Sequence, residues 1–173
     1  MGTGRINGQM AGLIAADAAL HRQLVTHDDL VAAARSIVGP ASTLARRVAL
    51  LADGRAESPG ETRMREALRL MGFRATPQFR LDDGPFHAVV DFLLEDHRLV
   101  IEFDGFVKYG RRAPLDTSPT PADVLFAEKV REDRIRSMDY VVVRVVWRDL
   151  EDLPLLRRRI EAAMALADGR RSA

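Results

Sequence analysis

The chain contains no cysteine. That excludes disulfides, thiolate zinc sites and a cysteine nucleophile, and leaves only oxygen or imidazole ligands for any metal. No apolar run approaches the ~20 residues that a membrane-spanning helix needs, and the N-terminus lacks the basic start and continuous apolar stretch of a signal peptide. A soluble, cytoplasmic protein with no membrane partner is the expectation. Aromatic residues make up only 6%, with a single tryptophan, and an excess of one charge is lacking too, because 26 basic residues nearly cancel 25 acidic ones. Recognition of nucleic acid therefore has to rest on a local patch and not on net charge. No internal repeat is present.

What is there is enough for a core: 47% of the 173 residues are hydrophobic, which suits one domain, or one domain with a small appendage. Residues 1–9 are glycine-rich without periodicity and read as a flexible start. Residues 10–52 form an Ala- and Leu-rich helical segment, broken at Thr26 and at Gly39-Pro40 into three short helices. Thr26 and Asp29 have the spacing of a helix-start cap. Arg35, Arg46 and Arg47 in this segment invite comparison with a helix-turn-helix reader, yet no aromatic or Asn/Gln-rich recognition helix stands out, and a packing arm is the expectation.

Residues 53–168 change character. Ser58-Pro59-Gly60-Glu61 opens a helix, Met64, Ala67, Leu68 and Met71 form its apolar stripe, and Gly72 ends it. Two β-rich runs follow, 86–94 and 98–104, joined through Asp96-His97 as a tight antiparallel hairpin. Residues 105–121 carry three prolines and read as a long loop. A helix over about 121–138, a strand over 141–147, a helix over about 153–167 and a basic tail, 169–173, complete the chain.

A two-residue turn at Asp96-His97 dictates the hairpin register: opposing positions sum to 193. Asp91 then faces Glu102, with Cβ atoms roughly 4.5–5.5 Å apart. Val89, Leu93, Val100 and Asp104 are expected on their face, and Val90, Phe92, Leu94, Leu99, Ile101 and Phe103 on the other. Two carboxylates crowded among apolar neighbours repel and lose hydration unless a cation or a proton is shared between them. A hard divalent ion, Mg²⁺ or Mn²⁺, is the expected occupant. The competing reading makes both acids solvent-facing positions of a half-exposed hairpin.

On the helix over 121–138, Glu128 and Arg131 fall within the face marked by Val124, Val130, Ile135 and Met138 and should point at the sheet, whereas Lys129 points away. Lys108, Arg111 and Arg112 follow the carboxylate strand with no acid among them, as phosphate binding requires. His87 and His97, at a strand start and in the turn, are not expected to be ligands, and Trp147 is expected in the core.

The strings Glu57-Ser58-Pro59-Gly60-Glu61, Val90-Asp91-Phe92, Val100-Ile101-Glu102-Phe103-Asp104-Gly105 and Glu128-Lys129-Val130-Arg131-Glu132-Asp133, in that order, resemble a known family. Residues 57–167 look like the very-short-patch-repair-like endonuclease domains of the PD-(D/E)XK superfamily, including those at the C-terminus of actinobacterial AbiEi-type toxin–antitoxin proteins. The resemblance implies an α/β, restriction-endonuclease-like core: a helix, a central mixed sheet with an antiparallel hairpin, and flanking helices, here behind an N-terminal helical segment. It implies metal-dependent hydrolysis of DNA, with Asp91 and Glu102 as metal-binding acids and Glu61 as the acid of the preceding helix. Cap-box spacing offers Glu61 a second role, holding the helix start, and both readings stay open. Where many relatives hold lysine, two positions after Glu102, this chain has Asp104. A basic group from elsewhere is then needed, and Arg131 is the expected one. The alternative is a catalytically idle module that binds DNA or a partner protein, with a toxin–antitoxin pair or a homodimer as settings.

Overall fold

The computed structural model describes residues 3–105 and 121–171. The chain divides by compactness into residues 1–66 and 67–173. Among the described residues there are six α-helices and one four-stranded sheet, and no helix is long and apolar enough to cross a membrane.

The first unit holds α1 (Thr3–His21), α2 (His27–Ser36), α3 (Ser42–Leu51) and the opening turns of α4 (Pro59–Leu70). Helix α1 begins at Thr3, inside the stretch expected to be a loose start. The Thr26 cap is formed as its spacing suggests: the Thr26 hydroxyl accepts from the Asp29 N–H, and the Asp29 carboxylate accepts from the Thr26 N–H. Leu13, Ala16 and Ala52 are the centre of a small core, with Leu20, Leu30, Val48 and Leu51 packed on it. Beside it Asp17 is 1% exposed and accepts from the Asp53 N–H at 2.8 Å, the Thr62 hydroxyl at 2.8 Å and Arg65 Nη2 at 2.7 Å. One buried carboxylate thus ties α1 to the segment before α4 and to α4 itself, tolerable because each bond offsets lost hydration. Gly54 passes so close to α1 that an added Cβ would stand 2.9 Å from the Leu20 Cβ. Arg35, Arg46 and Arg47 are exposed.

The second unit is a mixed sheet in the order β1-β2-β3-β4, from β1 (Thr76–Asp83), β2 (Phe86–Leu94), β3 (Leu99–Asp104) and β4 (Val141–Val146). Strands β1, β2 and β3 run antiparallel in turn, and β4 returns parallel to β3 after α5 (Pro121–Ser137). A helix α6 (Leu153–Arg171) follows and packs on β3 and β4 through the stripe Leu156, Ile160, Ala163 and Ala167. This is the α/β order of helix, mixed sheet and flanking helices that the resemblance implies. Ile135 of α5 is buried with Leu81, Ala88, Val90, Leu93 and Val100, so α5 covers one face of the sheet. Each valine, leucine or isoleucine among them contributes about 1.5–3 kcal/mol when taken from water, and Ile135 is the one that holds α5 to this cluster.

Strand β1 is absent from the sequence reading. Its signal was Asp83-Gly84: Gly84 has φ +58° and closes a two-residue hairpin in which Asp83 faces Phe86. The β2–β3 connection is longer than the expected two residues, a 3₁₀ turn at Glu95–His97 ending on Arg98 with φ 48°. It lengthens by one residue on each side, so the register survives: Leu94 faces Leu99, Leu93 faces Val100 and Phe92 faces Ile101.

Candidate active site

Continuing that register by one step brings Asp91 to Glu102, but the ladder stops at Phe92 and Ile101. In its place the Asp91 carboxylate accepts the Phe103 N–H at 2.7 Å. On the other side the β1–β2 pairs pass from Pro77↔Phe92 to Phe79↔Val90, and Gln78 between them has φ 50°. A left-handed residue in a strand re-aims the side chains around it, as bulges do beside active sites. The expected alternation is corrected at one point: Val90 shares a core cluster with Leu93 and Val100. Val89 is 52% exposed.

Helix α5 brings Arg131 to the same place. Its Nη2 lies 2.9 Å from Glu102 Oε1, its Nη1 3.4 Å from Glu102 Oε2, and Nη2 also donates to the Val89 carbonyl at 2.7 Å. The Glu102 and Arg131 side chains retain only 16% and 27% of their exposure. Burial works against the Arg131 charge, but the hydrogen bond it donates to Glu102 and the charges of Glu102, Glu128 and Asp91 outweigh it and raise its pKa above the ordinary arginine value. The inward placement of Glu128 and Arg131 agrees with the helix face expected for them, and Lys129 is exposed. Val130 is corrected: it is 51% exposed, because it lies five residues from the buried Ile135 and so off that stripe.

From Arg131 the charges continue along α5. Arg131 Nη1 bonds Glu128 at 3.2 Å, Arg144 of β4 bonds Glu128 at 2.8 Å and Glu132 at 2.7 Å, and Arg136 bonds Glu132 at 2.7 Å. Arg144 escaped the sequence reading. The available signal was one charged residue in the middle of a valine strand, and the parallel register sets it beside Glu102. Arg144 and Glu132 also line an open groove of about 810 Å³, with Arg136, Arg159 and Glu128; Asp91 and Glu102 do not line it, so the groove is not where the carboxylates meet.

Asp104 follows on β3, opposite Val146 of β4. Glu61 lies in the first unit, where its carboxylate accepts from the Ser58 hydroxyl at 2.7 Å and the Glu57 N–H at 3.0 Å while the Ser58 hydroxyl accepts from the Glu61 N–H. The capping role is thus formed at the start of α4. His87 pairs with Asp82 and His97 with Asp168. Trp147 packs edge-on against Phe103, with ring centroids 5.0 Å apart. Lys108, Arg111 and Arg112 lie outside the described residues.

The crowding expected to need a metal ion is relieved here by protein groups, a backbone N–H for Asp91 and a guanidinium for Glu102. Among the described residues, no group of three or more His, Asp and Glu side chains is arranged to hold a metal ion. The donors that are present still suit Mg²⁺ in kind, since it takes hard oxygen ligands, retains several waters and is commonly held by one or two carboxylates together with substrate phosphates.

No protein-family model matches the chain. No curated protein matches it. Among solved structures, the catalytic domain of the homing endonuclease I-Bth0305I is similar to this chain at 18% identity and a TM-score of 0.45, over 62% of this chain and 95% of that one. A likeness at that identity and TM-score is too distant to assign an activity.

Proposed function

We propose that the chain is a metal-dependent DNA endonuclease that hydrolyses phosphodiester bonds, with residues 53–168 as its nuclease domain. The observation that carries the reading is that, where the β2–β3 ladder breaks off, Arg131 grips Glu102 while Asp91 bonds the N–H of the adjoining Phe103 and adds its charge to the field at Arg131. Two half-buried acids beside a guanidinium combine ligands for a hard cation with a donor for phosphate oxygens. Asp91 and Glu102 would hold Mg²⁺ or Mn²⁺. When bound, such an ion polarises a phosphate and makes a coordinated water more acidic.

The remaining work falls to the chain. Hydrolysis joins a water oxygen to phosphorus and expels one ester oxygen, so a proton must leave the water and another must reach the leaving oxygen. Asp104, next along β3, is a carboxylate able to take the first, but it cannot donate to developing phosphate charge unless protonated. Arg131 can, with two N–H groups and a charge kept at every working pH. Lys108, Arg111 and Arg112 are proposed to hold the DNA backbone, and Glu61 is retained as a candidate of the preceding helix.

The second reading is an idle nuclease-like module that binds DNA or a partner protein, as in a toxin–antitoxin pair. It is favoured by the protein donors already bonded to Asp91 and Glu102. Plasmid nicking with Mn²⁺ or Mg²⁺, against a chelator control and an Asp91→Asn chain, separates the two. Metal-dependent nicking by the parental chain alone is expected; DNA retention without nicking under every metal supports the module.

A further inference from the structure

The charges around Glu102 form an alternating series in which each inner member has two opposite partners: Glu102, Arg131, Glu128, Arg144, Glu132, Arg136. Such redundancy permits re-pairing. If Glu102 turned to another cation, Arg131 would keep Glu128 and the Val89 carbonyl, and Arg144 would keep Glu132, so no half-buried charge would be stranded. Arg131, for its part, grips Glu102 through both carboxylate oxygens, the atoms a metal ion would need. A guanidinium held at both oxygens and a divalent cation on the same carboxylate repel one another and compete for its lone pairs.

We infer that Arg131 is a resident counter-ion of Glu102 that a divalent metal must displace, so that metal entry at Asp91 and Glu102 and release of the Arg131 guanidinium are one event. The inference rests on the metal-site reading above and adds a coupling to it. Arg131 keeps the carboxylate from standing uncompensated beside Asp91 while no metal is there, and lowers the affinity for metal by the strength of its own pair with Glu102. Once displaced, the guanidinium keeps Glu128 and the Val89 carbonyl, and the N–H groups that had held Glu102 are released for a phosphate oxygen. The coupling is reciprocal: a phosphate ester that holds Arg131 away from Glu102 tightens metal binding by the same factor that metal tightens the ester.

Mn²⁺ binding measured by electron paramagnetic resonance, without DNA, tests this. Arg131→Gln is expected to bind Mn²⁺ about tenfold more tightly than the parental chain, and Arg131→Lys, which keeps a charge but loses the two-point grip, to lie between them. Equal affinity in all three chains overturns the displacement while leaving the metal site standing. No binding in parental and Arg131→Gln chains, both shown folded by their melting curves, overturns the metal site and the displacement together. Should Arg131→Gln fail to fold, titration of the parental chain with Mg²⁺ decides by nuclear magnetic resonance. A shift of the Arg131 guanidinium signal that tracks binding supports displacement, and a guanidinium signal unmoved at saturation overturns it.

Discussion

The guanidinium of Arg131 meets the carboxylate of Glu102 at two points, Nη2 to Oε1 at 2.9 Å and Nη1 to Oε2 at 3.4 Å. Because its pKa is raised above the ordinary arginine value, the stabilisation due to Arg131 is complete below that ordinary value and is lost only as pH rises through the still higher folded one. Alkali within any working range does not loosen this pair. A competing charge, metal or phosphate, is what can.

Asp91→Asn and Glu102→Gln are expected to lower metal-dependent cleavage by about a hundredfold or more, since each removes a charged ligand from a two-carboxylate site. Asp91→Asn keeps an oxygen for the Phe103 N–H, so its stability, read from melting curves, should stay within about 1 kcal/mol of the parental chain's. Either variant cleaving at the parental rate would remove that residue from the site.

At saturating DNA and Mn²⁺, single-turnover cleavage should fall further for Arg131→Gln than for Lys108→Ala, which mainly weakens binding. The order follows from placement: Arg131 is held on a helix against the carboxylates. Replacing Lys108, Arg111 and Arg112 together should flatten the salt dependence of DNA binding. A folded Arg131→Gln chain with the parental rate would leave Arg131 with no part in the chemistry, and an unchanged salt slope would free the three basic residues from DNA contact.

Asp17→Ala should cost about 3 kcal/mol, because it leaves Arg65 without its buried acceptor and strands the Asp53 N–H and the Thr62 hydroxyl. Urea unfolding followed by circular dichroism reads this directly. A loss under 1 kcal/mol would show that the helices of the first unit are held by apolar packing alone.

Asp149 gives a pH-dependent contribution. Its burial favours the neutral form, but the Val146 N–H at 3.0 Å and Arg159 at 2.9 Å outweigh that and hold its pKa below the ordinary 3.8. A depressed carboxylate stabilises the fold above 3.8, and that stabilisation is lost as pH falls through the lower folded value. Asp149→Asn should therefore melt below the parental chain at pH 7 by the equivalent of about 1 kcal/mol, with the gap closing on acidification below 3.8. A gap independent of pH would point to lost packing instead.

Local rules carried much of the fold. Helix starts were legible because capping is a matter of residues three apart, as at Thr26–Asp29 and Ser58–Glu61. The hairpin register was legible because parity is preserved when a turn lengthens equally on both sides, so Leu93 still faces Val100 although the connection is a 3₁₀ turn. Hydrophobic period placed Ile135 and Arg131 on the inner face of α5. What the sequence could not state is which charge answers which. Arg131 and Glu102 are 29 positions apart, and Arg144 and Glu128 are 16 apart; such pairs exist only after α5 is laid across the sheet and β4 returns parallel to β3. The left-handed Gln78, which interrupts the strand pairing beside Asp91, was likewise decided by tertiary structure, because a glutamine has no intrinsic preference for that conformation and adopts it only where surrounding contacts compensate the strain.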